Sequence, residues 1–332
     1  YEHYEACGDY SPHNVALRTH VESLEVKVDG AQVDIYLALL DAVPRIRDVL
    51  SDITAAGPYQ ELVVVPMLLA SSTHTQEVTS LVEEAAHLTS DMEVVVTEPF
   101  FEVPFMQRRM RDAVISMAHE LRATIPDEVA DHNIGVLLAS HGTPYVPPLP
   151  EFGWEEGEIF SNLIPTEDAF HEEVASRLPW MARTGRMSYS SPTVQQSLDE
   201  FEQDGFTHVM VIPSAFPTAA IHTMWDVATA AVGRAVLPQE GVVEHARESG
   251  MKVYYSAEGL ADLEPGREEF REGLGFIGKM GVLEALEEPP EDGGVTPYEP
   301  CPAEQICVTL TADQVSADQL RVLLYEVDDA DW

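Results

Sequence analysis

Two histidines stand where an imidazole could work on a metal ion or a proton. His141 follows the apolar run IGVLLAS (134–140) and precedes Gly142, Thr143 and Pro144; His222 follows VIPSAFPTAAI (211–221) and opens a helix-like segment. A neutral imidazole binds borderline divalent ions such as Co²⁺, Fe²⁺, Ni²⁺ or Zn²⁺. Its ordinary pKa near 6.5 also lets it accept a proton close to neutrality. Asp226 lies one helical turn beyond His222 on the same face. It either orients that imidazole and relays a metal, or is a solvated acid near a helix start. A serine hydrolase built on Ser140 and His141 fails on geometry. Adjacent residues of an extended strand point to opposite faces, and the chain has no G-x-S-x-G elbow around this serine.

Elements of the right length surround these residues. Apolar runs suited to strands recur at 33–40, 62–70, 92–100, 134–140, 207–216 and 252–256. Helix-like segments lie at 43–53, 75–88, 103–125, 167–178, 192–205 and 221–236. Strand alternating with helix, with runs apolar on both faces, predicts an α/β fold whose mainly parallel sheets are covered by helices on both sides. In such sheets ligands gather at the carboxyl ends of strands, where His141 and His222 fall.

An internal repeat overlies this pattern. GPYQELVVVPMLLASSTHTQEV (57–78) and DGFTHVMVIPSAFPTAAIHTMWDV (204–227) share one plan: a glycine turn, a strand ending in Val/Ile-Pro, an irregular loop, then His-Thr before a helix. His74 holds in the first copy the place of His222 in the second. The reading is therefore two similar halves with a cleft between them: an N-terminal half over 1–128, a C-terminal half over 129–280 carrying the main site, and 281–332. The last is a Pro/Glu-rich linker followed by a short appendage expected to dock as a strand and a helix. The first half shows no counterpart to IGVLLAS; its opening strand lies upstream or is lost.

Composition narrows the partners. Of 332 residues, 58 are acidic and 18 basic, a formal charge of −40. A field of that sign repels nucleic acid and anionic lipid. It suits a cytoplasm of high salt, where the Debye length shrinks to about 3 Å at 1 M; an acidic protein of ordinary salt is the alternative. The longest apolar stretch, near 62–70, is far short of the roughly 20 residues a membrane helix needs. Three cysteines, Cys7, Cys301 and Cys307, make no disulfide framework and point to a reducing, cytoplasmic setting.

Several motifs in order resemble one family. SHGTP (140–144), LPEFGW (149–154), GRMSYSSPTVQQSLDEF (185–201), VIPSAFPTAAIHTMWD (211–226) and KVYYSAEGLADLEPGREEFREGL (252–274) are similar to the second half of class II tetrapyrrole chelatases. VVVPMLLASSTHTQEV (63–78) looks like the corresponding loop of the sirohydrochlorin cobaltochelatase branch. Together the likeness spans roughly residues 15–278.

The resemblance implies insertion of a divalent metal ion, Co²⁺ or Fe²⁺, into a tetrapyrrole, with sirohydrochlorin the first choice. A protoporphyrin or coproporphyrin ferrochelatase is the alternative, and a non-catalytic carrier of ring or metal a further one. Protohaem-type ferrochelatases pair a histidine with a glutamate, whereas cobaltochelatases pair two histidines; aligned on the Pro-x-x-Phe strand end, the glutamate position falls on His222. The loop after SHGTP is nonetheless ferrochelatase-like. His141 and His222 are then metal ligands and proton acceptors, and His74 is a third ligand or a relic. Ser140, Gly142, Thr143, Tyr145, Trp154, Arg183 and Arg186 become ring contacts. Tyr145 and Trp154, with Phe152, either stack on the macrocycle or pack on the core; the arginines suit its carboxylates. No tightly bound cofactor is expected, the metal being substrate. No nucleic acid or membrane partner is expected, and the protein is a monomer or homodimer.

Overall fold

The computed structural model describes residues 24–28, 32–39, 44–56, 59, 61–66, 78–82, 92–97, 104–142, 163–187, 191–260, 306–310 and 319–326. Its strands are β1 (Leu24–Val28), β2 (Gln32–Leu39), β3 (Glu61–Pro66), β4 (Glu93–Val96), β5 (Ile134–Ser140), β6 (Met181–Arg186), β7 (His208–Pro213), β8 (Val243–Ala246), β9 (Lys252–Tyr255), β10 (Ile306–Leu310) and β11 (Gln319–Glu326). The longer helices are α1 (Ile46–Ala56), α2 (Pro104–Thr124), α3 (Leu163–Ala175) and α4 (Val194–Gln203). A π-helical turn at His222–Val227 runs into the short α5 (Ala228–Val232). The described residues form two compact units, one within 107–260 and one made of 24–106 with 306–326. The α/β class expected from the alternating pattern is the class observed. Among the described residues no helix is long and apolar enough to cross a membrane.

The unit within 107–260 holds a five-stranded sheet in the order β6-β5-β7-β9-β8, parallel except for the edge strand β8. Every residue of β5 is buried, which is why its sequence is continuously apolar rather than alternating. Gly135 within it is a packing requirement: a Cβ there would sit 2.4 Å from the Phe201 ring of α4. α4 begins with a capping box in which Thr193 Oγ1 accepts the Gln196 amide and the Gln196 side chain accepts the Thr193 amide. Its inward face is Val194, Ser197, Leu198 and Phe201, the i, i+3, i+4, i+7 stripe of an amphipathic helix. β8 alternates in exposure and pairs antiparallel with β9, closing the edge with one wetted face.

In the other unit a parallel sheet runs in the order β2-β11-β3-β4, and β1 pairs with β10. Ile46, Val49, Leu50 and Ile53 of α1 pack with Leu62 and Val64 of β3 and with Val78 and Val82 of a helical turn at 78–82. Of the appendage expected as strand and helix, the described residues 306–310 and 319–326 are both strands, so the segment expected as helix pairs in a sheet at 319–326. QLRVLLYE is an apolar run of strand length that periodicity alone cannot separate from a helical segment. The slot between β2 and β3, which supplies ladder partners on both sides, decides the matter. β11 thereby stands between β2 and β3 as β5 stands between β6 and β7. The sheet position for which the first half shows no strand is filled from the far end of the chain.

Candidate active site

β5 delivers the first histidine. The strand ends at Ser140, His141 and Gly142 follow, and Gly142 takes φ +70°, a left-handed conformation that a side chain would disfavour. That bend brings the Gly142 carbonyl to 2.7 Å from His141 Nδ1. A carbonyl only accepts, so Nδ1 carries the proton and the basic lone pair lies on Nε2.

The second histidine is set by a buried loop. Residues 211–224 are all buried, and His222 is 5% exposed. Three contacts hold this loop to the end of β9 and the chain after it: Leu260 N–H to the Phe216 carbonyl (2.8 Å), Thr223 Oγ1–H to the Ala257 carbonyl (2.8 Å), and the buried Tyr255 hydroxyl to the Thr223 carbonyl. Gly259 permits the approach, since a Cβ there would lie 2.3 Å from the Thr218 backbone. Burial, with the Asp226 charge added, drives the Tyr255 pKa well upward and keeps that hydroxyl a donor. His222 opens the π-helical turn, an irregularity found often at functional sites. Its Nδ1 lies 2.7 Å from Asp226 Oδ2, one turn on. The carboxylate accepts, and the His222 lone pair is likewise on Nε2.

The two rings meet. Their centroids are 4.8 Å apart, at an interplanar angle of 81°. Among the described residues no group of three or more His, Cys, Asp and Glu side chains is placed to hold a metal ion. Within the described residues the pair supplies two nitrogen donors, fewer than the four ligands of a structural zinc cage. Imidazole nitrogens of this kind can take a proton or bind a borderline divalent ion.

Beneath His141 lies a buried polar group that sequence reasoning missed. Glu167 of α3 is 2% exposed; its carboxylate accepts the Ser140 hydroxyl at 3.0 Å and the Gly142 amide. Burial pushes its pKa up to about 7, against the opposing pull of those donors and of Arg186, whose Nε is 3.6 Å away. One turn further along α3, His171 Nε2 lies 2.8 Å from Ser214 Oγ and Nδ1 3.0 Å from Thr184 Oγ1. Ser214 spends its proton on the Ala139 carbonyl at 3.1 Å, so His171 donates from Nε2 and accepts at Nδ1 as a neutral ring. Burial, helped by the Arg186 charge, lowers its pKa to about 3. The available signal was the Glu167/His171 spacing of one turn in EDAFHEEVA, hidden because the segment also carries Asp168, Glu172 and Glu173.

The structure brings Ser140, His141, Gly142, His222 and Asp226 together. Arg186 reaches the same region but from below: it is 2% exposed, pairs with Asp168 and Glu167, and donates to the Ser191 carbonyl at 2.9 Å. Arg183 lies against α4, 2.5 Å from Asp204, 3.7 Å from Glu200 and 4.6 Å above the Phe201 ring. Both sit on β6, whose sequence MARTGR conceals a strand by its polarity. His74, Thr143, Tyr145 and Trp154, with Phe152, lie outside the described residues, as does the linker region 281–305.

A mainly parallel α/β sheet thus carries two imidazoles in contact, one just after a strand end and one at the start of a π-helical turn. The comparison with known families narrows this. The family model described as Ferrochelatase matches residues 1–252, and the chain belongs to that family. Two curated relatives are distant. The coproporphyrin III ferrochelatase of Leifsonia xyli subsp. xyli (strain CTCB07) is 21% identical over 255 residues, 70% of this chain and 65% of the relative. That of Propionibacterium freudenreichii subsp. freudenreichii is 21% identical over 279 residues, 79% of this chain and 75% of the relative.

Proposed function

We propose that this protein inserts a divalent metal ion into a free-base tetrapyrrole. The observation that carries the reading is the His141–His222 pair: two rings in contact, each with Nδ1 held by an acceptor and the lone pair on Nε2. Metallation removes two pyrrole protons while the ion sheds water and enters the ring. Neutral imidazoles serve both needs, as proton acceptors and as transient ligands of the incoming metal. Family membership and the activity for which both relatives are named support the same chemistry.

Two choices of substrate rest on different observations. The relatives favour Fe²⁺ and a carboxylated porphyrin such as coproporphyrin III. The histidine at position 222, in place of the glutamate of protohaem-type enzymes, favours Co²⁺ and sirohydrochlorin. Both rings are anionic and meet a protein of charge −40, so screening by salt aids their approach. The test is anaerobic incubation in molar KCl of each ring with each metal, followed by absorbance. Metallated ring produced over many cycles supports a chelatase, and the faster pair names the substrate. Binding that stops at one ring per chain, with no metallation, would replace the enzyme by a carrier.

A further inference from the structure

We propose that Glu167 is a positioning residue that sets the tautomer and aim of His141, a role that rests on the metal-insertion reading above. Its carboxylate receives the Ser140 hydroxyl and the Gly142 amide, the residues on either side of His141. The Gly142 carbonyl in turn receives His141 Nδ1–H. Gly142 is thus the link, with its amide on Glu167, its carbonyl on the imidazole, and φ +70° setting the angle between them.

The Ser140 carbonyl accepts the Met187 amide at 3.2 Å, which holds the strand end but leaves the bend after it undirected. An apolar residue at position 167 would avoid the cost of a buried carboxylate. It would also leave the Ser140 hydroxyl and the Gly142 amide without that acceptor, and the bend would relax. Arg186 steadies the carboxylate from the opposite side, its Nε at 3.6 Å and its remaining nitrogens on Asp168 and the Ser191 carbonyl. The arrangement places three residues, Arg186, Glu167 and Gly142, behind one imidazole. An incoming ion or pyrrole proton meets the Nε2 that this series exposes as the basic atom.

The test compares wild type with Glu167→Gln, both labelled with ¹⁵N-histidine, in molar KCl and without metal or ring. The His141 resonances are assigned by their loss in His141→Ala. Wild type should show His141 as a single Nδ1–H form. In Glu167→Gln the two tautomers should mix, and the insertion kcat should fall about tenfold to a hundredfold, the effect of misplacing a reacting group by about an ångström. KM for the ring should stay within about twofold, because the change concerns the group that meets the metal. Glu167→Asp, shorter but with both acceptor oxygens where Gln has one, should recover part of both losses. The proposal needs the tautomer change and the kcat change together; either without the other, or neither, overturns it. Should Glu167→Gln fail to fold, Ser140→Ala removes one of the two donors and is judged by the same pair of readouts. If wild type itself inserts no metal, the chelatase reading falls, and the tautomer measurement alone decides the role of Glu167.

Discussion

The two sheets place a strand in the same position and use it differently. β5 sits between β6 and β7, and β11 sits between β2 and β3, parallel to both neighbours in each case. β5 is close in sequence to its neighbours and runs directly into Ser140, His141 and Gly142. β11 lies far in sequence from β2 and β3, the strands it joins. One central strand leads into the histidine proposed to act on the metal, and the other joins two strands of a sheet. A shared sheet position does not carry a shared role; the residues after the strand do.

The largest effect should come from His141, which follows β5, and from His222, the ring it meets. His141→Ala and His222→Ala should each lower metal insertion by about 10²–10⁴-fold, the range for a positioned proton acceptor, while ring binding and circular dichroism stay near wild type. Two single variants with wild-type rates would remove the site from the reading altogether.

Ending the chain after Glu304 tests the second kind. Without β11, β2 and β3 lose their common ladder partner, so amide exchange protection in both should collapse toward that of an open chain. Residues of β5, β6 and β7 should keep theirs. Unchanged protection in β2 and β3 would mean that β11 is dispensable to the sheet.

A smaller loss is expected at Asp226. Asp226→Asn keeps the side-chain size but weakens the acceptor for His222 Nδ1–H, and should reduce insertion or Co²⁺ affinity about 10–100-fold, as for other partners of ligating histidines. Equal rates in variant and wild type would show that His222 does not depend on this contact.

The smallest signal is a pH slope belonging to the unit that holds β5. Glu167 keeps its proton up to about 7 when folded, against an ordinary value of 4.5. Between those values the folded chain binds the extra proton, so this residue lowers stability as pH rises. His171 acts oppositely: folded, it stays neutral down to about 3 against an ordinary 6.5, so stability is lost as pH falls through that window. From pH 4.5 to 6.5 the two slopes cancel. Glu167→Gln removes one of them, and its unfolding free energy should rise with pH there by about 1.4 kcal/mol per unit more steeply than wild type. Denaturant melts at pH 5 and 6 measure it; parallel curves would place the ionisation elsewhere.

Much of this was legible in the chain. The continuous apolar run of β5 marks a strand buried on both faces, and the histidine at its carboxyl end marks the site. The His222/Asp226 spacing foretells a contact that local helical geometry alone can make, now 2.7 Å long. These are short-range facts, because backbone periodicity sets them within a few residues.

Other features had no local signal. MARTGR and QLRVLLYE become strands because neighbours distant in sequence supply their hydrogen-bond ladders. Arg186 looks like a free cation for a ring carboxylate, yet packing buries it against Glu167 and Asp168. Glu167 looks like one more acid on a surface helix, yet it lies under the turn that carries His141. The sequence by itself determined the elements of strong local periodicity, the α/β class and the positions of the two imidazoles. Which strand fills which slot, and which charges leave water, only the tertiary structure decided, because pairing and desolvation depend on residues that the chain brings together from far apart.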